Sequence, residues 1–141
     1  MAEQGRWLVK SDPQDFGFPQ LAAAGTVTWD GVRNPTAQLH LRAMADGDRV
    51  LVYHTGSDKA IVGTATVIGA PFPDKSAADP RIVAVRLRAG AALPRSVSLA
   101  AIKAEPTLAT LPLVRMGRLS VMPIPAAAWR RLLAMGGAAR T

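Results

Sequence analysis

Short segments rich in β-branched and apolar residues recur along the chain, and they constrain its fold most. Each is bounded by Gly, Pro, Asp or Ser, and most have the alternating pattern of a half-buried strand. The predicted strands are residues 6–10, 26–29, 49–54, 59–70, 82–88 and 118–122. Gly63 lies inside the fourth of them, where it predicts a bulge or a close backbone approach.

Helical patterns between these strands are short. They fall at residues 16–25, 34–45, 98–104 and 125–135. In the second of them Gln38 lies off the apolar face, and in the last Trp129, Leu132 and Leu133 form the buried face. Because strands and helices do not alternate regularly, a doubly wound parallel sheet is disfavoured. The pattern predicts an α+β fold, namely a small mixed or mostly antiparallel β-barrel decorated by short helices.

The chain has the length of one domain. Its 141 residues contain no linker or internal repeat, so we expect a single domain over residues 1–141 with a core at about residues 6–135. No apolar run approaches the length of a membrane span, and the first residues lack a signal-peptide pattern. We therefore expect a soluble, cytoplasmic protein without a membrane partner, and a monomer.

Charge is distributed unevenly along the chain. Residues 1–80 carry seven Lys/Arg and nine Asp/Glu, whereas residues 81–141 carry ten Lys/Arg and one Glu. The ten basic residues are Arg81, Arg86, Arg88, Arg95, Lys103, Arg115, Arg118, Arg130, Arg131 and Arg140. Arginine binds phosphates through paired hydrogen bonds, so this half suggests nucleic acid as the partner. An arginine-rich composition that only maintains solubility is the alternative.

Several kinds of site are disfavoured by the residues present. The chain lacks cysteine, and His40 and His54 do not have the spacing of a chelating pair, so we expect no metal. A glycine-rich phosphate loop is also missing, and we expect no cofactor. Neither Ser11 nor Ser120 lies in a nucleophile elbow. We therefore expect a protein that is not an enzyme.

The stretch from Trp29 to Asn34 offers the strongest binding chemistry in the sequence. It combines a flat aromatic, a carboxylate, a turn glycine, a guanidinium and an amide, the groups that stack on a heterocycle and hydrogen-bond its edge. The same residues suit a tight turn before a helix that begins at Asn34. Both interpretations stay open on these residues alone.

The other aromatic residues divide by position. Trp7 and Trp129 are predicted to lie in the core, the first on a strand and the second at helical core spacing. Trp29 precedes a turn, so it fits a pocket wall and a core position equally well. Tyr53 and His54 close a strand at a loop, where both rings can present their edges to a ligand.

Short motifs along almost the whole chain resemble the EVE domain family in their sequence and order. They lie at residues 7–13, 29–34, 47–48, 52–55, 61–63, 102–106, 113–115 and 118–123. Each motif is modest alone, but their common order is specific. The resemblance implies a PUA-like β-barrel, related to the YTH domains that read methylated adenine in RNA.

The resemblance also implies a function and a site. EVE domains are regarded as non-catalytic readers of modified bases, such as 5-methylcytosine or 5-hydroxymethylcytosine, in DNA or RNA. A base would be flipped into an aromatic-walled pocket. The residues implied are Lys10, Ser11, Trp29, Asp30, Gly31, Val32, Arg33, Asn34, Tyr53, His54, Arg118 and Ser120. An aromatic residue common before the family's third long strand is replaced here by Ile82, so the sequence identifies no second aromatic wall.

Two other functions stay open. The first is a PUA-like hydrolase or amidohydrolase acting on a modified nucleoside, for which Lys10, Ser11 and Asp12 form the comparable cluster. The second is a protein-interaction module whose basic half meets an acidic partner.

Overall fold

A computed structural model describes residues 5–138 and shows an α+β fold built on a mixed β-sheet. The strands within this range are β1 Arg6–Ser11, β2 Thr26–Trp29, β3 Arg49–His54, β4 Ala60–Pro73, β5 Val83–Ser98 and β6 Val121–Pro123. The helices are α1 Phe18–Ala24, α2 Pro35–Ala43, α3 Leu99–Ala104, α4 Pro112–Arg115 and α5 Ala126–Met135, with a 3-10 turn at Pro106–Leu108. No helix within residues 5–138 is long and apolar enough to span a membrane.

The order of strands brings the ends of β1 and β3 together. The order across the sheet is β2-β5-β4-β3-β1-β6. β1 and β3 are parallel, and the other neighbouring strands are antiparallel. The parallel register pairs Lys10 with Tyr53 and Ser11 with His54. Residues predicted from distant parts of the sequence therefore meet at one end of the sheet.

The predicted α+β fold with a mixed sheet and short helices is confirmed, but the predicted β-barrel is not closed within the described residues. β2 and β6 are the two edge strands, and they do not pair with each other within the described residues. Helix α2 packs against both β5 and β6. Helix α2 therefore connects edge strand β6 with β5, the neighbour of the other edge strand, and the sheet stays open.

Two strands, β5 and β6, differ clearly in their bounds from the predictions. β5 continues past the predicted end at Arg88 to Ser98, because β4 pairs with it through several register shifts. β6 begins only at Val121, so Arg118, Leu119 and Ser120 form a turn before it. The Lys10 N–H still donates to the Ser120 carbonyl at 2.9 Å, which places this turn beside the end of β1.

Several local predictions are confirmed. Asn34 caps α2 by accepting the Ala37 N–H at 3.0 Å. A Cβ on Gly63 would clash with the Phe18 ring, so Gly63 permits a close approach between β4 and α1. Trp129 is buried on α5, and Trp7 is buried with its indole N–H donating to Asp48 at 2.9 Å. Both indoles therefore belong to the core, as predicted.

Candidate functional site

A pocket of about 490 Å³ opens where β1 and β2 end. Its volume falls within the range of small-molecule sites. The residues that line it are Lys10, Ser11, Asp12, Asp15, Phe16, Val27, Thr28, Trp29, Asp30, Gly31, Val32, Arg33 and Ser120. Five of the six residues from Trp29 to Asn34 therefore line the pocket.

Two aromatic rings form a corner of this pocket. The Trp29 and Phe16 ring centroids are 6.2 Å apart, and their planes meet at 77°. Because the rings are nearly perpendicular, a flat ligand can stack on one of them while its edge meets the other. Phe16 was not predicted as a site residue, since its segment was interpreted only as a helix start. It supplies the second aromatic wall that the sequence did not identify.

Buried Asp74 fixes the turn that forms one rim. Its Oδ2 accepts the Gly31 N–H at 2.9 Å and Arg33 Nη1 at 3.1 Å, and its Oδ1 accepts the Ser76 N–H at 2.8 Å. Burial alone raises the pKa of Asp74, but the hydrogen bonds from Ser76, Gly31 and Arg33 outweigh it and lower the pKa to about 2. Gly31 has φ 78°, a conformation that favours glycine. The carboxylate therefore stays charged and holds the turn.

Gln38 fixes the same turn from the opposite side. Its Nε2 donates to the Val32 carbonyl at 2.8 Å and to the Val83 carbonyl at 2.9 Å, while its Oε1 accepts the Val83 N–H at 2.9 Å. Gln38 is predicted to lie off the apolar face of its helix, and its amide is nevertheless buried, because it joins the turn to β5. Helical periodicity alone does not reveal such a role.

Lys10 lies at the opposite rim in a partly desolvated position. Its Nζ donates to the Gly117 carbonyl at 3.0 Å and lies 5.5 Å from the centroid of the Tyr53 ring. Burial lowers the pKa of Lys10. Tyr53 is buried and does not line the pocket. Its ring supports the Lys10 ammonium from outside the pocket through a cation–π contact.

The hydroxyl of Ser11 and the imidazole of His54 hold the segment that carries Phe16. Ser11 Oγ donates to the Phe16 carbonyl. His54 is buried, and its Nε2 accepts the Phe18 N–H at 2.9 Å while its Nδ1 lies 3.0 Å from Asp58 Oδ2. The proton of the neutral ring therefore resides on Nδ1. His54 does not line the pocket, so its geometry is that of a support for the Phe16 wall.

Asn34 and Arg118 lie beside this pocket and not in it. Together with Met116 and Leu119 they line a neighbouring concavity of about 320 Å³. The Gly117 carbonyl, which holds Lys10, belongs to the same concavity. The predicted residues are therefore brought into one region, with Asn34, Tyr53, His54 and Arg118 outside the pocket itself.

Among residues 81–138, the basic side chains do not form one continuous surface along the pocket. Arg118 and Arg81 line concavities next to it. Arg86 and Arg88 are exposed on β5, and Arg131 pairs with Glu105 at 2.7 Å. Arg140 lies outside the described residues. Charge that is concentrated in sequence is thus dispersed over several elements.

The fold and the pocket together define a small α+β domain with an aromatic corner and a charged rim where β1 and β2 end. No group of three or more His, Cys, Asp or Glu residues within residues 5–138 is arranged to hold a metal ion. The chain belongs to the EVE domain family, whose family model matches residues 5–135.

Relatives of known structure share this fold. The protein Rpa0253 from Rhodopseudomonas palustris is 43% identical with a TM-score of 0.90, and the match covers 94% of this chain and 93% of that one. Human thymocyte nuclear protein 1 is 34% identical over 80 residues, which cover 48% of this chain and only 36% of the human protein. A structure of human THYN1 has a TM-score of 0.89 at 23% identity, covering 97% of this chain and 100% of that one.

Proposed function

We propose that this domain binds nucleic acid and reads a modified base, such as 5-methylcytosine or 5-hydroxymethylcytosine, by taking one flipped base into the pocket. The aromatic corner of Trp29 and Phe16 carries the proposal. A base stacked on one ring would present its substituted edge to the other, so a methyl group gains apolar contact. Stacking of a base on an aromatic ring contributes about 1–3 kcal/mol.

The charges that line the pocket favour a base over a phosphate. Three carboxylates, Asp12, Asp15 and Asp30, face two cations, Lys10 and Arg33. Carboxylates accept hydrogen bonds from an exocyclic amino group, such as N4 of cytosine, whereas Lys10 can donate to a ring nitrogen or carbonyl oxygen. A phosphate would meet repulsion from the carboxylates.

A similar protein supports the nature of the ligand. The human THYN1 structure is of a complex with DNA that contains 5-methylcytosine. At 23% identity that similarity concerns the fold.

The experiment compares dissociation constants for oligonucleotides that differ in one base. Duplex DNA and single-stranded RNA carrying 5-methylcytosine, 5-hydroxymethylcytosine or cytosine are titrated at one fixed salt concentration. We expect oligonucleotides with a modified base to bind more tightly than those with cytosine. In Trp29→Ala the binding free energy of the modified oligonucleotide should fall by about 1–3 kcal/mol. Leu39→Ala, at an exposed position on α2, is the matched control. Equal affinity for all three bases in both nucleic acids would refute the reader function.

Because Trp29 is buried, its replacement also tests folding. Thermal unfolding of each variant separates the two effects. The variant Asp30→Ala changes an exposed side chain on the same rim and gives a second test without removing core volume.

A hydrolase acting on a modified nucleoside is the second candidate, and one observation favours it. Lys10 is half-buried with a lowered pKa, and it lies next to Ser11 and Asp12 in the same pocket. A lysine of lowered pKa is a common catalytic base. Turnover of acylated or alkylated nucleosides by the wild type, lost in Lys10→Ala, would establish this function in place of non-catalytic reading.

A further inference from the structure

We propose that a groove next to the pocket, formed by Arg33, Arg42 and Arg81, holds the phosphates that follow the flipped base. This arginine groove has a volume of about 650 Å³. The proposal rests on the proposed function, because it assigns the path of the strand whose base enters the pocket. The sequence suggests that the basic residues of 81–141 bind the nucleic acid, whereas two of the three groove arginines, Arg33 and Arg42, lie in the net acidic half of the chain.

Arg33 connects the pocket and the arginine groove, because it lines both. Its Nη1 donates to Asp74 at 3.1 Å and its Nη2 to Ser76 Oγ at 3.1 Å. These bonds fix the guanidinium in place, while 47% of the side chain stays exposed. A fixed and partly exposed guanidinium is suited to hold the first phosphate outside the pocket.

Arg42 and Arg81 continue the positive charge away from the pocket. Arg42 Nη1 lies 3.4 Å from both Gln38 Oε1 and the Arg81 carbonyl, so it bridges α2 and the segment before β5. Arg81 is 86% exposed and pairs with Asp79 at 2.9 Å. Arg81 Nε and Nη2 both donate to the Asp79 carboxylate. Because the Arg81 side chain is exposed to solvent, a phosphate can compete with this carboxylate for the guanidinium.

The charge of the arginine groove is opposite to that of the pocket. Three arginines and one carboxylate, Asp79, line the groove, and even with Arg33 paired to buried Asp74 the groove keeps a net positive charge. In the pocket, carboxylates outnumber cations. A strand that places its base in the acidic pocket can therefore place its phosphates in the basic groove. Pro35 and Pro80 give the groove an apolar floor for the sugars.

The salt dependence of binding tests this path. The slope of log K against log salt changes by about 0.7–0.9 for each phosphate contact that is lost. We expect Arg42→Gln/Arg81→Gln to reduce the magnitude of the slope by about twice that amount, and to leave the ratio of affinities for modified and plain base unchanged. The control Lys103→Gln/Arg130→Gln removes the same charge from α3 and α5, where neither residue lines the pocket or the groove.

A single acidic substitution gives an independent test. Asp79→Asn releases Arg81 from its ion pair, so nucleic acid should bind more tightly at low salt. Equal slopes for the groove and control double variants, with base preference retained, would overturn the phosphate path and leave the reader function intact. Absence of nucleic-acid binding by the wild type would overturn both.

Discussion

At the level of single residues, the pocket depends on side chains that lie behind its surface. Asp74 and Gln38 hold the turn from Gly31 to Arg33 through hydrogen bonds to its backbone and to Arg33. Neither residue lines the pocket. Substitution of either residue should therefore change the stability of the protein and the shape of the pocket together.

The variant Asp74→Asn should destabilise the protein by about 1–3 kcal/mol, because hydrogen bonds to a buried charged group are lost or weakened. Its stability should also depend less on pH. The folded pKa of Asp74 is about 2, below its ordinary 3.8, so the stabilisation is present above pH 4 and is lost as the pH falls toward 2.

Urea unfolding of the wild type and Asp74→Asn between pH 6 and pH 2 measures this difference. Asp30→Asn, an exposed carboxylate on the same turn, is the control and should follow the wild type. The same pH dependence in all three proteins would show that Asp74 does not stabilise the turn as its contacts indicate.

The carboxylate of Asp30 should contribute to base recognition and little to folding. Asp30 is exposed and lines the pocket. If it accepts a hydrogen bond from the amino group of the base, Asp30→Ala should weaken binding by about 1.5–3 kcal/mol. Titration calorimetry with a modified oligonucleotide measures the loss, and an unchanged affinity would remove Asp30 from the site.

At the level of elements, local sequence patterns correctly predict those helices and strands whose bounds depend on neighbouring residues. α2 begins at its Asn34 cap, β3 matches its apolar run, and α5 buries the face that contains Trp129. The failures concern pairing between distant segments. The second half of β5 pairs with β4 after several register shifts, which the local sequence does not predict. Closure of a barrel would require the edge strands β2 and β6 to pair, and a local sequence pattern cannot predict such pairing.

The candidate site likewise combines residues that local sequence predicts with residues that only tertiary contacts bring together. The turn motif with Trp29 was predicted from its own residues and reaches the pocket. The positions of Phe16 and Asp74 could not be predicted, because both reach the site through loops whose paths are set by tertiary hydrogen bonds. The sequence predicts Tyr53 and His54 as binding residues, but both are buried and lie outside the pocket lining.

The contact between β4 and α1 should be sensitive to one methyl group. In Gly63→Ala the added Cβ would clash with the Phe18 ring, so this ring or the helix that carries it must shift. Overpacking of this kind costs about 1–3 kcal/mol. The displacement should also weaken base binding, since Phe18 follows the segment that carries Phe16.

Gly117→Ala is the matched control, because its Cβ would meet no atom within 4 Å. Denaturant unfolding of the two variants should show a loss of stability for Gly63→Ala alone. Equal stability of both variants would mean that the close approach between β4 and α1 has no energetic role.

At the level of the whole molecule, the proposed binding of a base in the pocket and of phosphates in the arginine groove depends on the opposite charges of these two sites. An acidic, aromatic pocket lies beside a basic groove, and Arg33 belongs to both. Net charge of +7 attracts a polyanion from a distance, whereas the pocket determines which part of it enters. Affinity and base preference should therefore respond to different substitutions.

A crystal structure of the wild-type protein with a short duplex containing one 5-methylcytosine tests this mode most directly. The predicted result is a cytosine ring outside the duplex stack and in van der Waals contact with Trp29 or Phe16, with its amino group near a pocket carboxylate. A complex in which every base stays stacked within the duplex and the pocket holds no base would contradict it.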